Sequence, residues 1–145
     1  MTDIIVRLVQ NNSFLPKVIR AWIAKFISIP ESIISVKIRN GQELRINHNA
    51  FNDITSKLFW KLGYENETVG IYLKRCESLS VIIDVGANIG YYSLVGALAN
   101  RNAEVHAFEP NPVLYAQLVQ NILLNAAETR IRTYQQAVCD RRGEI

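Results

Sequence analysis

The chain has 145 residues, 49% apolar and 20% charged, with a formal net charge of +3. That is enough for one domain with a real core and is ordinary for a soluble globular protein. No run approaches the ~20 apolar residues of a membrane span. The N-terminus lacks a basic start followed by an apolar stretch, so no signal peptide is read and the cytoplasm is the expected compartment.

Charge is uneven along the chain. Residues 1–79 carry 11 Lys/Arg against 7 Asp/Glu, and residues 80–145 carry 5 against 6. This mild basic bias reads as a solvated face rather than as a surface for an anionic partner. Cys76 and Cys139 make no disulfide framework, and with His48 and His106 they make no metal-ligand spacing, so no metal is expected.

In chain order, residues 4–28 suggest two short helices. Ile4, Ile5, Leu8 and Val9 form one apolar set. Ile19, Trp22, Ile23 and Phe26 form another after a break at Pro16, a residue suited to a helix start. The second helix is expected to pack on the domain. Arg20 and Lys25 beside Trp22 and Phe26 leave open a membrane-surface contact through residues 1–30.

Two alternating segments then flank Asn40-Gly41, the mark of a hairpin. A two-residue turn would split the apolar positions between faces. A three-residue loop, Arg39-Asn40-Gly41 with Gly41 left-handed, pairs Val36 with Leu44 and Ile34 with Ile46 and puts them on one face. A helix follows from near Asn66, with Val69, Tyr72 and Leu73 on its apolar side.

The second half alternates strand and helix. "SVIIDV" is an unbroken β-branched run, read as a strand buried on both faces. "GANIG" turns into a helix at "YYSLVGALANR". "AEVHAFE" is the second strand. Asn111-Pro112 starts the next helix, whose stripe is Leu114, Leu118 and Ile122 and whose left-handed stop is Asn125. "RIRTYQQAV" is the third strand. The order β-α-β-α-β implies right-handed crossovers and a doubly wound, Rossmann-type α/β sheet. Residues 1–79 form an N-terminal extension and residues 80–145 the first half of a nucleotide-binding domain.

Ligands of such sheets bind beyond the carboxyl ends of the strands. Three features meet there: the turn with Gly86 and Gly90, Asp84 at the end of the first strand, and Glu109 at the end of the second. Glycines let the backbone approach a ligand, and the helix N-terminus favours an anion. A carboxylate at Glu109 suits both hydroxyls of a ribose. The pattern is D-x-G-x-x-x-G rather than the dinucleotide G-x-G-x-x-G. Asp84 would repel a pyrophosphate but could sit beside an ammonium. S-adenosylmethionine carries an ammonium, a carboxylate, a sulfonium and a ribose, and is the cofactor this arrangement suits. Tyr91 and Tyr92 read as core or rim.

From about Tyr64 to Ile145 the sequence resembles the FkbM family of S-adenosylmethionine-dependent methyltransferases. The resemblance rests on "YENET", "IIDVGANIGYYS", "VHAFEPNP", "LVQNILLN" and "AVCDRRGEI", in this order and spacing. It implies a class I methyltransferase-like fold. It also implies that Asp84, Gly86, Ala87, Asn88 and Gly90 line the methionine part of the cofactor. Glu109 would hold the ribose, Pro110 and Asn111 would border the adenine, and Ala137 would close the adenine site from the third strand. Asp140 and Gly143 would shape the following turn.

The implied activity is methyl transfer to a hydroxyl of a sugar or natural-product intermediate, with a small-molecule or glycan acceptor and no nucleic acid. No residue here matches a catalytic base. The family's sheet has seven strands with the first in the middle, and this chain offers three. The expectation is therefore a fragment or truncated form, with "SVIIDV" as a strand edge open to self-association. Two alternatives stay open: a nicotinamide-dependent (NAD(P)) oxidoreductase, and a non-catalytic cofactor-binding or membrane-associated module.

Overall fold

The computed structural model describes residues 16–24, 26, 31–38, 41–48, 53–60, 66–141 and 143. The helix expected around Ile4–Val9 lies outside them, as does part of the turn expected at 140–143.

Helix α1 spans Lys17–Ala24. Its apolar side packs inward only in part, through Ile23 and Ala24 against the core. Val18, Trp22 and the nearby Phe26 are largely exposed, whereas Arg20 is buried. Trp22 and Phe26 meet each other instead, ring centroids 4.9 Å apart.

Strands β1 (Ser32–Lys37) and β2 (Glu43–His48) form an antiparallel hairpin. Its register pairs Val36 with Leu44 and Ile34 with Ile46. Gly41 has φ +75° and Ile38 N–H donates to Gln42 C=O at 2.8 Å, as the three-residue loop requires. Ile34, Leu44 and Ile46 are buried on one face. Helix α2 (Asp53–Phe59), unread in the sequence, packs across that hairpin. Its buried Thr55 hydroxyl lies 2.7 Å from His48 Nδ1.

Helix α3 (Asn66–Cys76) buries Val69, Leu73 and Cys76 and packs on helix α4 (Tyr91–Ala99). The sheet of the second half is parallel, in the order β3 (Val81–Val85), β4 (Glu104–Phe108), β5 (Ile131–Tyr134). Helix α5 (Pro112–Leu124) links β4 to β5. Asn111 caps it through bonds from the Val113 and Leu114 amides, and Pro112 follows at the first helical position.

Both crossover helices lie on one side of this sheet. Gly96 of α4 faces Ile82, and Tyr115 of α5 reaches Thr133 at 3.0 Å. Ile82, Val105, Ala107 and Ile131 are buried on that side. Ile82, Val105 and Ile131 each contribute about 1.5–3 kcal/mol of transfer free energy. The other side carries Val81, Ile83, Val85, His106, Phe108 and Tyr134. The expectation that β3 is buried on both faces is therefore corrected. Val81, Ile83 and Val85 are each more than half exposed, because no described helix covers that face.

Two boundaries also differ. The third strand ends at Tyr134 and leaves residues 135–138 irregular, so Ala137 lies beyond it. The left-handed residue after α5 is Ala126 (φ +48°), not Asn125, whose φ is −104°. Asn125 holds the helix end through its side chain, donating to Asn121 C=O at 2.7 Å.

Candidate functional site

The site forms where β3 and β4 end. After Val85 the chain passes through three left-handed residues: Gly86 (φ +77°), Asn88 (φ +53°) and Gly90 (φ +86°). Glycine takes that conformation freely, and asparagine is among the side chains that tolerate it best. The amides of Gly86 and Ala87 both donate to Phe108 C=O at 2.9 Å, which hooks the turn onto the end of β4.

The two glycines have different surroundings. A Cβ on Gly86 would meet nothing within 4 Å, so the approach over the turn is open. A Cβ on Gly90 would stand 2.5 Å from Leu118 Cδ1. Gly90 thus lets α5 pack against the turn, with Leu118 fully buried beneath it. Gly90 also offers α4 no capping side chain.

Asp84 sits at the end of β3, half-buried behind the turn. Ser93, one turn into α4 and fully buried, donates its hydroxyl to Asp84 Oδ2 at 2.5 Å. Burial pushes the Asp84 carboxyl above the usual carboxylate range. The hydroxyl and amide of Ser93 pull it back, and the negative charge of Glu109 adds to the upward push. Behind Asp84 lies Tyr72 of α3, whose phenol is pushed up chiefly by burial and further by Cys76, Asp84 and Tyr92. Burial likewise pushes the Cys76 thiol up, against a hydrogen bond from Tyr72.

Glu109 is buried and joins the two turns. Its Oε2 accepts from the Asn88 amide at 2.8 Å, and its Oε1 from the Asn111 amide at 2.9 Å. A carboxylate offers about four acceptor positions, so each oxygen can still accept a hydroxyl. The Asn88 side-chain oxygen accepts from the Ile89 amide at 2.9 Å. Asn111 uses its own side-chain oxygen as the cap of α5, at 2.9 and 3.2 Å.

The structure therefore gathers Asp84, Gly86, Ala87, Asn88, Gly90 and Glu109 around one turn. Pro110 and Asn111 lie exposed on the next, and Ala137 is half-buried on the segment leaving β5. Ser93 and Asn121 were not read from the sequence, though both are fully buried polar groups at this site. The available signal was a lone hydroxyl or amide within an otherwise apolar helical face, at three to four residues from Leu118 or one turn from Gly90.

Chemically, the turn can host a cation beside Asp84 and a vicinal diol at Glu109. Among the described residues no group of three or more His, Cys, Asp and Glu is arranged to hold a metal ion, and no helix is long and apolar enough to cross a membrane.

Comparison with known proteins narrows the assignment. The profile of the TRM5/TYW2 methyltransferase domain matches residues 40–144. The 31-O-demethyl-FK506 methyltransferase FkbM of Streptomyces tacrolimicus is 43% identical over 63 residues, covering 43% of this chain and 24% of that protein. The tRNA(Phe) (4-demethylwyosine(37)-C(7)) aminocarboxypropyltransferase of Methanocaldococcus jannaschii is 31% identical over 94 residues, covering 62% and 37%. The crystal structure of P. horikoshii TYW2 in complex with MeSAdo shares the fold, with a TM-score of 0.51 and 24% identity over 79% of this chain and 39% of that one. The chain spans roughly a fifth to two fifths of the length of the curated relatives it matches. The likeness to FkbM is thus narrower than the likeness to the TRM5/TYW2 domain. The expectation that excluded nucleic acid finds no support in relatives whose names specify tRNA.

Proposed function

The chain belongs to the TRM5/TYW2 methyltransferase domain family, and on that premise we propose that its β3–α4 turn binds S-adenosylmethionine for methyl transfer. The observation that carries this reading is the pair of carboxylates on either side of an open glycine turn. Asp84 is a desolvated carboxylate whose surroundings favour a cationic neighbour, here the ammonium of the methionine moiety. Glu109 has both oxygens anchored by backbone amides and keeps acceptor capacity for the two ribose hydroxyls. The open space over Gly86 admits the cofactor backbone. Pro110, Asn111 and Ala137 border the adenine side.

When bound, the cofactor supplies a methyl group on a sulfonium that leaves as a thioether, while the acceptor nucleophile attacks in line and gives up its proton. Residues 80–145 hold the cofactor in this reading. The acceptor is a hydroxyl on a small molecule or glycan, supported by the 43% identity to FkbM. A base of tRNA is the second reading, supported by the likeness to the tRNA (guanine(37)-N(1))-methyltransferase of Xenopus tropicalis, 29% identical over 106 residues.

Titration calorimetry with S-adenosylmethionine and with NADH tests the cofactor. Saturable binding of the former and none of the latter is expected. Binding of NADH alone, or of neither, overturns the reading. Transfer of a labelled methyl group to bulk tRNA, against a panel of polyhydroxylated small molecules, separates the two acceptors.

A further inference from the structure

Helix α5 presents Leu118, Asn121, Ile122 and Asn125 along one face, at spacings of three and four residues. Leu118 and Ile122 are apolar and buried, as such a face demands. Asn121 is not apolar, yet it is fully buried between them. A buried carboxamide costs free energy unless its donors and acceptor are matched.

Both ends are matched, and to different parts of the chain. The Asn121 side-chain nitrogen donates to Ile89 C=O in the glycine turn at 2.8 Å. Its side-chain oxygen accepts from the Asn47 amide on the outer edge of β2, also at 2.8 Å. One turn later, Asn125 grips Arg45 of the same strand, accepting from its amide at 2.9 Å and donating to its carbonyl at 2.6 Å. The Asn125 side chain bonds to the hairpin and to Asn121.

The Ile89–Gly90 peptide is a weak point of that turn. It lies between left-handed Asn88 and left-handed Gly90, and glycine accepts either sign of φ at little cost. Two hydrogen bonds hold its plane: Gly90 N–H to Ala87 C=O at 2.8 Å, and Asn121 to Ile89 C=O. We propose that Asn121 is a positioning residue for the cofactor turn. It fixes the Ile89–Gly90 peptide from behind, with the hairpin edge at Asn47 as its anchor. The N-terminal hairpin is on this view a working part of the cofactor site, although it contributes no residue to the ligand side. The inference rests on the reading that this turn binds S-adenosylmethionine.

The test uses the full chain and three variants, each checked for folding by circular dichroism. Asn121→Ala removes both bonds. Asn121→Asp, when ionised, keeps an acceptor for Asn47 and sets an oxygen against Ile89 C=O in place of the donor, which serves if the alanine variant does not fold. Asn125→Ala removes the neighbouring bonds to Arg45 and leaves both Asn121 side-chain bonds, to Asn47 and to Ile89, in place. Folded Asn121→Ala or Asn121→Asp should bind S-adenosylmethionine about tenfold more weakly, and Asn125→Ala within about twofold of wild type. Amide hydrogen exchange at Gly90 should speed up about tenfold in the Asn121 variants while exchange within α4 stays unchanged, which a general loss of stability would not produce. Wild-type Gly90 exchange and affinity in the Asn121 variants would overturn the proposal. A wild-type chain that binds no S-adenosylmethionine would overturn the cofactor reading alone, and the exchange measurement would then decide the positioning role of Asn121 by itself.

Discussion

Gly90 and Leu118 touch so closely that a single methyl group on Gly90 would come within 2.5 Å of the leucine Cδ1. Gly86, four residues earlier and equally left-handed, faces open space. Alanine in a left-handed conformation costs about 1–2 kcal/mol at either position. At Gly90 the displacement of a fully buried leucine is added, for which overpacking costs about 1–3 kcal/mol. Gly90→Ala should therefore lower stability about twice as much as Gly86→Ala in urea unfolding. Gly86→Ala, folded, should lose cofactor affinity by obstructing the approach over the turn. Equal destabilisation by both would contradict this division of labour.

Glu109 accepts a backbone amide on each carboxylate oxygen. Glutamine supplies one oxygen and one NH2 group, so one of those amides would meet a donor. Glu109→Gln should destabilise the chain by about 1–3 kcal/mol, the scale of an unsatisfied buried group, and should weaken S-adenosylmethionine binding in the folded fraction. Denaturant midpoints and calorimetry check the two effects separately; a variant with wild-type values in both would remove Glu109 from the site.

Asp84 gives the site a pH dependence whose sign follows from burial. Its folded-state pKa is raised above the ordinary value of about 3.9. In the free chain, the penalty on the charged form is absent below that ordinary value. It grows as pH rises towards the folded pKa and is complete above it, so this group favours folding more on the acid side. A bound ammonium favours the charged form, so binding should weaken as pH falls through the folded pKa and should release protons in that window. Ser93→Ala deletes a bond that pulls the pKa down, and should move the weakening to higher pH. Calorimetry in buffers of different ionisation enthalpy reports the protons; a pH-flat affinity would exclude Asp84 as the cation partner.

Gly96 lies in the middle of α4, where alanine would normally gain about 1 kcal/mol of helix propensity. A Cβ there would stand 2.9 Å from the Tyr72 hydroxyl and 3.1 Å from Ile82 Cδ1. Gly96→Ala should be destabilising in the wild-type background and much less so with Tyr72→Phe, which removes the nearer atom. Thermal unfolding of the four proteins of this double-mutant cycle measures the coupling; strict additivity would show that the hydroxyl does not set the spacing.

The two thiols should separate cleanly. Cys139 is exposed, whereas Cys76 is buried with its pKa pushed up. Thiolate is the reactive form. A disulfide reagent at neutral pH should therefore label one thiol rapidly in the native chain and both in denaturant. Fast labelling of two native thiols would show that α3 does not stay packed on α4.

Much of this site follows from local rules. Alternation sets the hairpin register, because a one-residue slip would expose Leu44 and Ile46 together. Asp84 and Glu109 are placed by strand ends, which an apolar run followed by glycine or proline marks well. Long-range neighbours are not marked in this way. Nothing within "VIIDV" says that one of its faces lies open, since a continuous β-branched run is compatible with one covered face or two. Helix α2 has seven residues, too few for a clear period, and its buried Thr55 is accounted for only once His48 is placed beside it. Asn121 looks like an interruption in the α5 stripe until two segments 32 and 74 residues away are seen to meet it.

Asn125 offers Arg45 one acceptor and one donor from a single planar amide, the same pair of groups that a neighbouring peptide unit would offer. To β2, the side chain stands in for one residue of a third strand. Together with Asn121 at Asn47, it occupies the Arg45 N–H and C=O and the Asn47 N–H on that border, so two carboxamides do there the work of a protective strand. That stretch of the β2 edge, which would otherwise be a template for cross-chain pairing, is thereby closed. Replacing these asparagines with equally helical, equally compact apolar residues would reopen it.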